Sequence, residues 1–163
     1  FIYMPANGIV QGMRPIIGYN YGAGESSRVK STIRYSLLTA AGLMLTGTIL
    51  ALALPKQILA LFDADAALMS AGVTALRIIS LGFLVSSVGL IYSGVFEAIG
   101  NGRNSLIISL LRQFVITIPL SFILTRFFGP TGVWISFPVG ELCASAAAFC
   151  LLKKYQNGAF SPL

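Results

Sequence analysis

Four apolar stretches of bilayer-spanning length follow one another along this chain. Residues 35–54 carry no charge, 78–97 none before Glu97, 104–125 only Arg112 and 132–152 only Glu141. A helix needs about 20 residues to cross the hydrocarbon core, so each stretch is predicted to be a transmembrane helix. A fifth, at residues 1–17, loses its apolar character after Met13. It is too short to span alone and reads as the end of a span, which makes the chain a piece of a longer polypeptide. No composition shift, repeat or low-complexity run divides the rest. The expectation is one all-α transmembrane unit over residues 1–163.

The connections differ in character. Residues 18–34 are rich in turn formers (Gly18, Asn20, Gly22, Gly24) and then basic (Arg28, Lys30, Arg34). Residues 55–77 mix Ile58, Leu59, Leu61, Phe62 and Leu68 with Lys56, Asp63 and Asp65, the pattern of a short helix on the membrane surface. Residues 100–104 form a tight turn with Arg103, and in the FGPTG run at 128–132 Pro130 is expected to stop a helix.

Composition narrows the class. The chain is 56% apolar and only 10% charged, with a mean hydropathy of +0.84. A soluble domain carries about 25% charged residues, so the solvent of this surface is lipid, and disorder is excluded. The net charge of +6 comes from scattered Lys and Arg, not from a stripe suited to nucleic acid. Topology explains that charge instead. If the spans alternate, Arg14, Arg28, Lys30, Arg34, Arg103, Arg112, Lys153 and Lys154 lie on one side, and Lys56, Arg77 and Arg126 on the other. The basic side is cytoplasmic by the positive-inside rule. The carboxyl end is then cytoplasmic, with Arg28 and Arg103 inside and Asp63 outside.

The spans also carry polar groups. Gly82, Ser86, Gly89, Ser93, Glu97 and Gly100 recur at helical spacing on one narrow face. Small residues there allow close helix approach in lipid, and Glu97 is either hydrated near the cytoplasmic end or a cation site facing a cavity. Glu141 lies near mid-span, where an unpaired charge costs several kcal/mol, roughly. Ala144, Ser145 and Ala148 share its face. A cavity role and a hydrogen bond to a neighbouring helix are both open to it. Ser105, Ser109, Gln113, Thr117, Ser121 and Thr125 fall four apart, a stripe that bonds between helices or lines a wet path. Pro119 is placed to kink that helix and alter its register. Arg112 is expected to snorkel to the cytoplasmic interface. The candidate substrate or ion ligands are Glu141, Glu97, Gln113, Thr117 and Ser93.

Enzyme chemistry finds no foothold. Histidine is absent, which excludes His-based triads, metal sites and proton relays. Cys143 and Cys150, seven apart on one predicted helix, are too distant for a disulfide. The G-x-G runs at Gly22 and Gly100 lack the third glycine and a preceding strand. No catalytic residue, metal site or cofactor is expected.

Three segments together resemble the MATE (multidrug and toxic compound extrusion) family, bacterial type. GMRPIIGYNYGAGESSRVK (12–30) resembles the end of that family's eighth helix. VFEAIGNGRNSLIISLLRQ (95–113) is similar to the turn from its tenth to its eleventh helix, and GPTGVWISFPVGEL (129–142) to the entry into its twelfth. The resemblance implies part of the carboxyl-terminal lobe of a twelve-helix carrier in the inner (plasma) membrane. Such a carrier exports organic cations and drugs in exchange for Na⁺ or H⁺. Its partners would be the bilayer, those drugs and the amino-terminal lobe of the same polypeptide, with no nucleic acid. The family's usual Gln in F-Q-A is Glu97 here. Two alternatives remain: a lipid-linked saccharide flippase of the same superfamily, and a noncatalytic membrane assembly subunit.

Overall fold

A computed structural model describes residues 3–62 and 66–159, which are helical almost throughout and contain no strand. The chain runs through α1 (Tyr3–Gly22), α2 (Ser26–Ala53), the short α3 (Pro55–Ala60), α4 (Ala66–Ser80) and α5 (Phe83–Ala98). It continues through α6 (Gly102–Leu110), a π-helical stretch (Leu111–Thr117), α7 (Ile118–Phe128) and α8 (Pro130–Ala159). Asp63 and Asp65 lie outside the described residues.

Among the described residues, three helices are long and apolar enough to cross a membrane: Ser26–Ala53, the continuous rod Gly102–Phe128, and Pro130–Tyr155. Among the described residues, two limbs, Leu68–Ser80 and Phe83–Ala98, meet at 54° and together have the length and apolar character of a fourth crossing.

The helices differ from the sequence expectation at their starts. Most of the 18–34 connection is helical, because α1 runs to Gly22 and α2 begins at Ser26, leaving a turn in which Gly24 takes φ 73°. Residues 55–77 do not form one short surface helix. They hold α3 and most of α4, and α4 continues into the fourth crossing. A helix does end just before Pro130, at Phe128, and Pro130 also starts the next one. Gly129, at φ 58°, reverses the chain, and Pro130 takes the first position of α8, where its missing N–H costs nothing.

Polar side chains inside the apolar helices are satisfied locally, as lipid requires. Thr32, Thr39, Thr46 and Thr48 on α2 each donate to the carbonyl four residues back at 2.9 Å. The same rule explains Ser86, Ser87 and Ser136, which bond the carbonyls of Phe83, Leu84 and Val133.

Helix α5 is the hub, packed against α1, α2, α6 and α8. Its small-residue face is used for close approach. A Cβ at Gly82 would lie 3.0 Å from the Pro138 Cα of α8, and one at Gly89 would lie 3.2 Å from Ser145 Oγ. Ser145 Oγ in turn donates to the Val85 carbonyl at 2.8 Å, crossing from α8 to α5. Ala144, Ser145 and Ala148 of α8 are all buried in this contact region. The main apolar core gathers Val10, Met13 and Ile17 of α1, Val29 and Ile33 of α2, Ile91, Val95 and Phe96 of α5 and Leu152 of α8. By contrast α7 buries none of its side chains, and large apolar groups such as Leu45, Ile49, Phe122 and Phe127 face outward, as suits a lipid-facing surface.

Candidate functional site

Glu141 enters α8 about 16 Å along from Pro130, at 1.5 Å per residue, which is near the middle of a crossing. Its side chain is 15% exposed and points into a cleft of ≈ 400 Å³. Tyr3 and Asn7 of α1, Arg112 and Gln113 of the π-helical stretch, and the apolar Ile79, Leu90 and Phe137 complete the lining. Tyr3 Oη donates to Glu141 Oε1 at 3.4 Å. Arg112 Nη1 lies 3.7 Å from Glu141 Oε2, an ion pair too long for a hydrogen bond. Oε2 has no hydrogen-bond partner among the described residues. The carboxylate is thus held from two sides and saturated by neither.

The π-helical stretch brings Arg112 here. Pro119 has no N–H to offer the carbonyl four residues back, so the regular ladder fails just before it. The chain responds by widening its turn: Ile118 N–H bonds the Gln113 carbonyl, five residues back. Thr117 Oγ1 donates to the Arg112 carbonyl at 2.6 Å, also five residues back, and fastens the widened turn. Gly140 lets the turn seat against α8, because a Cβ there would collide with Thr117 Oγ1. Arg112 therefore does not snorkel to the interface. It lies about 15 Å along from Gly102, at 1.5 Å per residue, level with a carboxylate that attracts it.

Glu97 and Ser93 belong to a different place. Arg14 of α1 is ion-paired to Glu97, and Ser105 Oγ of α6 donates to Glu97 Oε1 at 2.7 Å. Ser93 and Ser105 share a further hydrogen bond at 2.7 Å. This cluster ties α1, α5 and α6 together beside the turn that joins α5 to α6. It engages Glu97 fully, in contrast to Glu141. Of the five predicted ligands, then, Glu141 and Gln113 line the cleft, Thr117 shapes it from behind, and Glu97 with Ser93 form the separate clamp. Gln113 is exposed on the cleft wall.

Sequence reasoning missed Tyr3 and Asn7, both on the first apolar stretch, and the pairing of Arg112 with Glu141. The Asn within an apolar run was a usable signal. The π turn had one too, in the Thr117–Pro119 pair.

Comparison with known proteins assigns the family. The MatE family model matches residues 1–123. The chain belongs to the MatE family. With its apolar helices, this makes it a multi-pass membrane protein. Its relatives include the multidrug export protein MepA of Staphylococcus saprophyticus, 28% identical over 141 residues. That alignment covers 86% of this chain and 31% of MepA. MepA of Staphylococcus aureus (strain bovine RF122) is 30% identical over the same coverage. Among solved MATE structures, the multidrug transporter DinF-BH superposes with a TM-score of 0.88. It is 33% identical, and the match covers 99% of this chain and 36% of DinF-BH. An inward-facing MATE transporter of the MOP superfamily, 19% identical, has a TM-score of 0.85 and shows the shared fold. That match covers 98% of this chain and 40% of the transporter. The chain spans about a third of the length of the relatives it matches. These MATE relatives are transporters, not enzymes.

Proposed function

We propose that this chain forms part of the carboxyl-terminal lobe of a secondary multidrug exporter. The carrier exchanges organic cations for Na⁺ or H⁺, and Glu141 is the group in this lobe that meets the cation. One observation carries the reading: a carboxylate near mid-crossing lines an open cleft and is held there only by a long Tyr3 hydrogen bond and a loose Arg112 ion pair. A carboxylate that served packing alone would be fully bonded to its neighbours, since an unsatisfied charge in lipid is costly. Apolar Ile79, Leu90 and Phe137 supply contact for the hydrophobic body of a drug, and Gln113 and Asn7 supply adaptable polar groups. The flippase alternative is less favoured, because the one cation on this cleft wall, Arg112, is paired with Glu141.

The orientation proposed places the carboxyl end in the cytoplasm and the protein in the plasma membrane. Supporting it, the end of α1, the start of α2, the α5–α6 turn and the end of α8 converge. They are linked by Arg14 to Glu97 and by Tyr21 to Tyr155 at 2.8 Å. Arg28, Lys30, Arg34, Arg103, Lys153 and Lys154 belong to these same helix ends. The amino-terminal lobe is the proposed partner, because alternating access needs two repeats that move against each other.

The test is drug efflux by the full-length carrier in proteoliposomes, under an imposed Na⁺ or H⁺ gradient. Glu141→Gln is expected to lower cation efflux by roughly tenfold or more at equal membrane expression, because the charge that offsets the cation in lipid is gone. The gradient that drives wild-type efflux identifies the ion. Wild-type efflux by Glu141→Gln would reduce Glu141 to a packing residue.

A further inference from the structure

Arg112 poses a problem for any cation site built on Glu141. The guanidinium already balances the carboxylate, so the cleft wall carries no net charge. A monocation entering it would leave the region with a net positive charge in a medium that penalises charge. Two features resolve this. The pair is loose, at 3.7 Å, and the Arg112 side chain is 32% exposed on the cleft wall, so it has somewhere to go. Its backbone, meanwhile, cannot follow, because the Arg112 carbonyl is bonded to Thr117 and the turn is seated on Gly140.

We propose that Arg112 is a tethered competitor cation. It occupies Glu141 when no substrate is bound and is displaced when a substrate cation arrives. The proposal rests on the reading of Glu141 as a cation ligand. It adds a specificity-determining role for Arg112: only a cation whose apolar body also gains contact with Ile79, Leu90 and Phe137 overcomes the tethered rival. Small hydrated cations, which gain nothing from that wall, are excluded. The site therefore selects lipophilic monocations. The tether makes competition intramolecular and hence effective without a strong bond. Arginine suits the role, being weakly hydrated and always charged.

Equilibrium binding of tetraphenylphosphonium, a lipophilic monocation, to the purified full-length carrier in nanodiscs tests this. Arg112→Gln is expected to bind about tenfold tighter than wild type, because the intramolecular rival is gone. Arg112→Lys, a more hydrated and weaker rival, is expected about threefold tighter, and it serves if the glutamine variant fails to fold. If Glu141→Gln alone loses binding but both Arg112 variants bind no tighter than wild type, the tethered-cation role is overturned while the cation site stands. If Glu141→Gln binds as wild type does, the reading of the site itself fails.

Discussion

Substituting Gly140 by Ala tests whether the widened turn between α6 and α7 is held by its seat on α8. The new Cβ would collide with Thr117 Oγ1. That oxygen is not free to retreat, since Thr117 is buried and Oγ1 donates to the Arg112 carbonyl at 2.6 Å. Rotating Thr117 away forfeits that hydrogen bond, about 1 kcal/mol. Keeping it forces α8 and the turn apart, and overpacking of this kind costs about 1–3 kcal/mol. Replacing Gly by Ala in a helix returns up to about 1 kcal/mol. The expected net loss is about 1–2 kcal/mol. It would be measured by SDS unfolding of the full-length carrier in mixed micelles. The same change in a Thr117→Ala background should cost close to nothing, since the obstructing oxygen is gone. The two substitutions should therefore couple by about 1 kcal/mol or more. Additivity within about 0.5 kcal/mol, the scatter expected of independent sites, would refute the seat. Efflux should fall with Gly140→Ala as well, because Arg112 shifts with the turn.

Glu97→Gln should cost under about 1 kcal/mol, since Arg14 and Glu97 are each about a third exposed and solvent screens their attraction. Its efflux should stay near wild type, and a loss matching that of Glu141→Gln would bring Glu97 into the transport path. In a background without the exposed Cys143 and Cys150, Arg28→Cys and Arg103→Cys should label from the cytoplasm only. Labelling of either from outside would invert the proposed orientation. The chain expressed by itself and reconstituted in liposomes should transport no drug, and robust efflux by it would show that it assembles a carrier unaided.

Hydropathy made most of the crossings legible, because lipid imposes long runs free of charge. Glu141 stood out for the same reason, as the only acid within residues 132–152. The small face of α5 was legible from spacing, and Gly82 and Gly89 do bring α8 close. The rest was hidden in two ways. First, α4 carries Arg77 and follows Asp63 and Asp65 in the sequence, so its pattern resembled a surface helix; what gives it the length of a crossing is its junction with α5. Second, partners of a charge come from other helices, and no spacing along the chain shows that Arg14 meets Glu97 or that Arg112 meets Glu141. The stripe from Ser105 to Thr125 shows the limit most clearly. Read as an ideal helix it spirals away, but the π turn resets its register, so Ser105 and Thr117 are both buried while Gln113 opens on the cleft.

The two-limbed crossing made by α4 and α5 bears on how the chain is put into the membrane during synthesis. With 15 and 16 residues, neither limb reaches the roughly 20 needed to span. The first limb leaves the ribosome carrying Arg77 near its end and is a poor insertion signal by itself. Commitment to the bilayer must wait until the second limb, with its uncharged run from Phe83 to Phe96, has also emerged. Pro138 of α8 packs against Gly82 at the joint between the limbs, so α8 can brace the 54° angle only once it too has been made. A helix made later thus braces the shape of one made well before it.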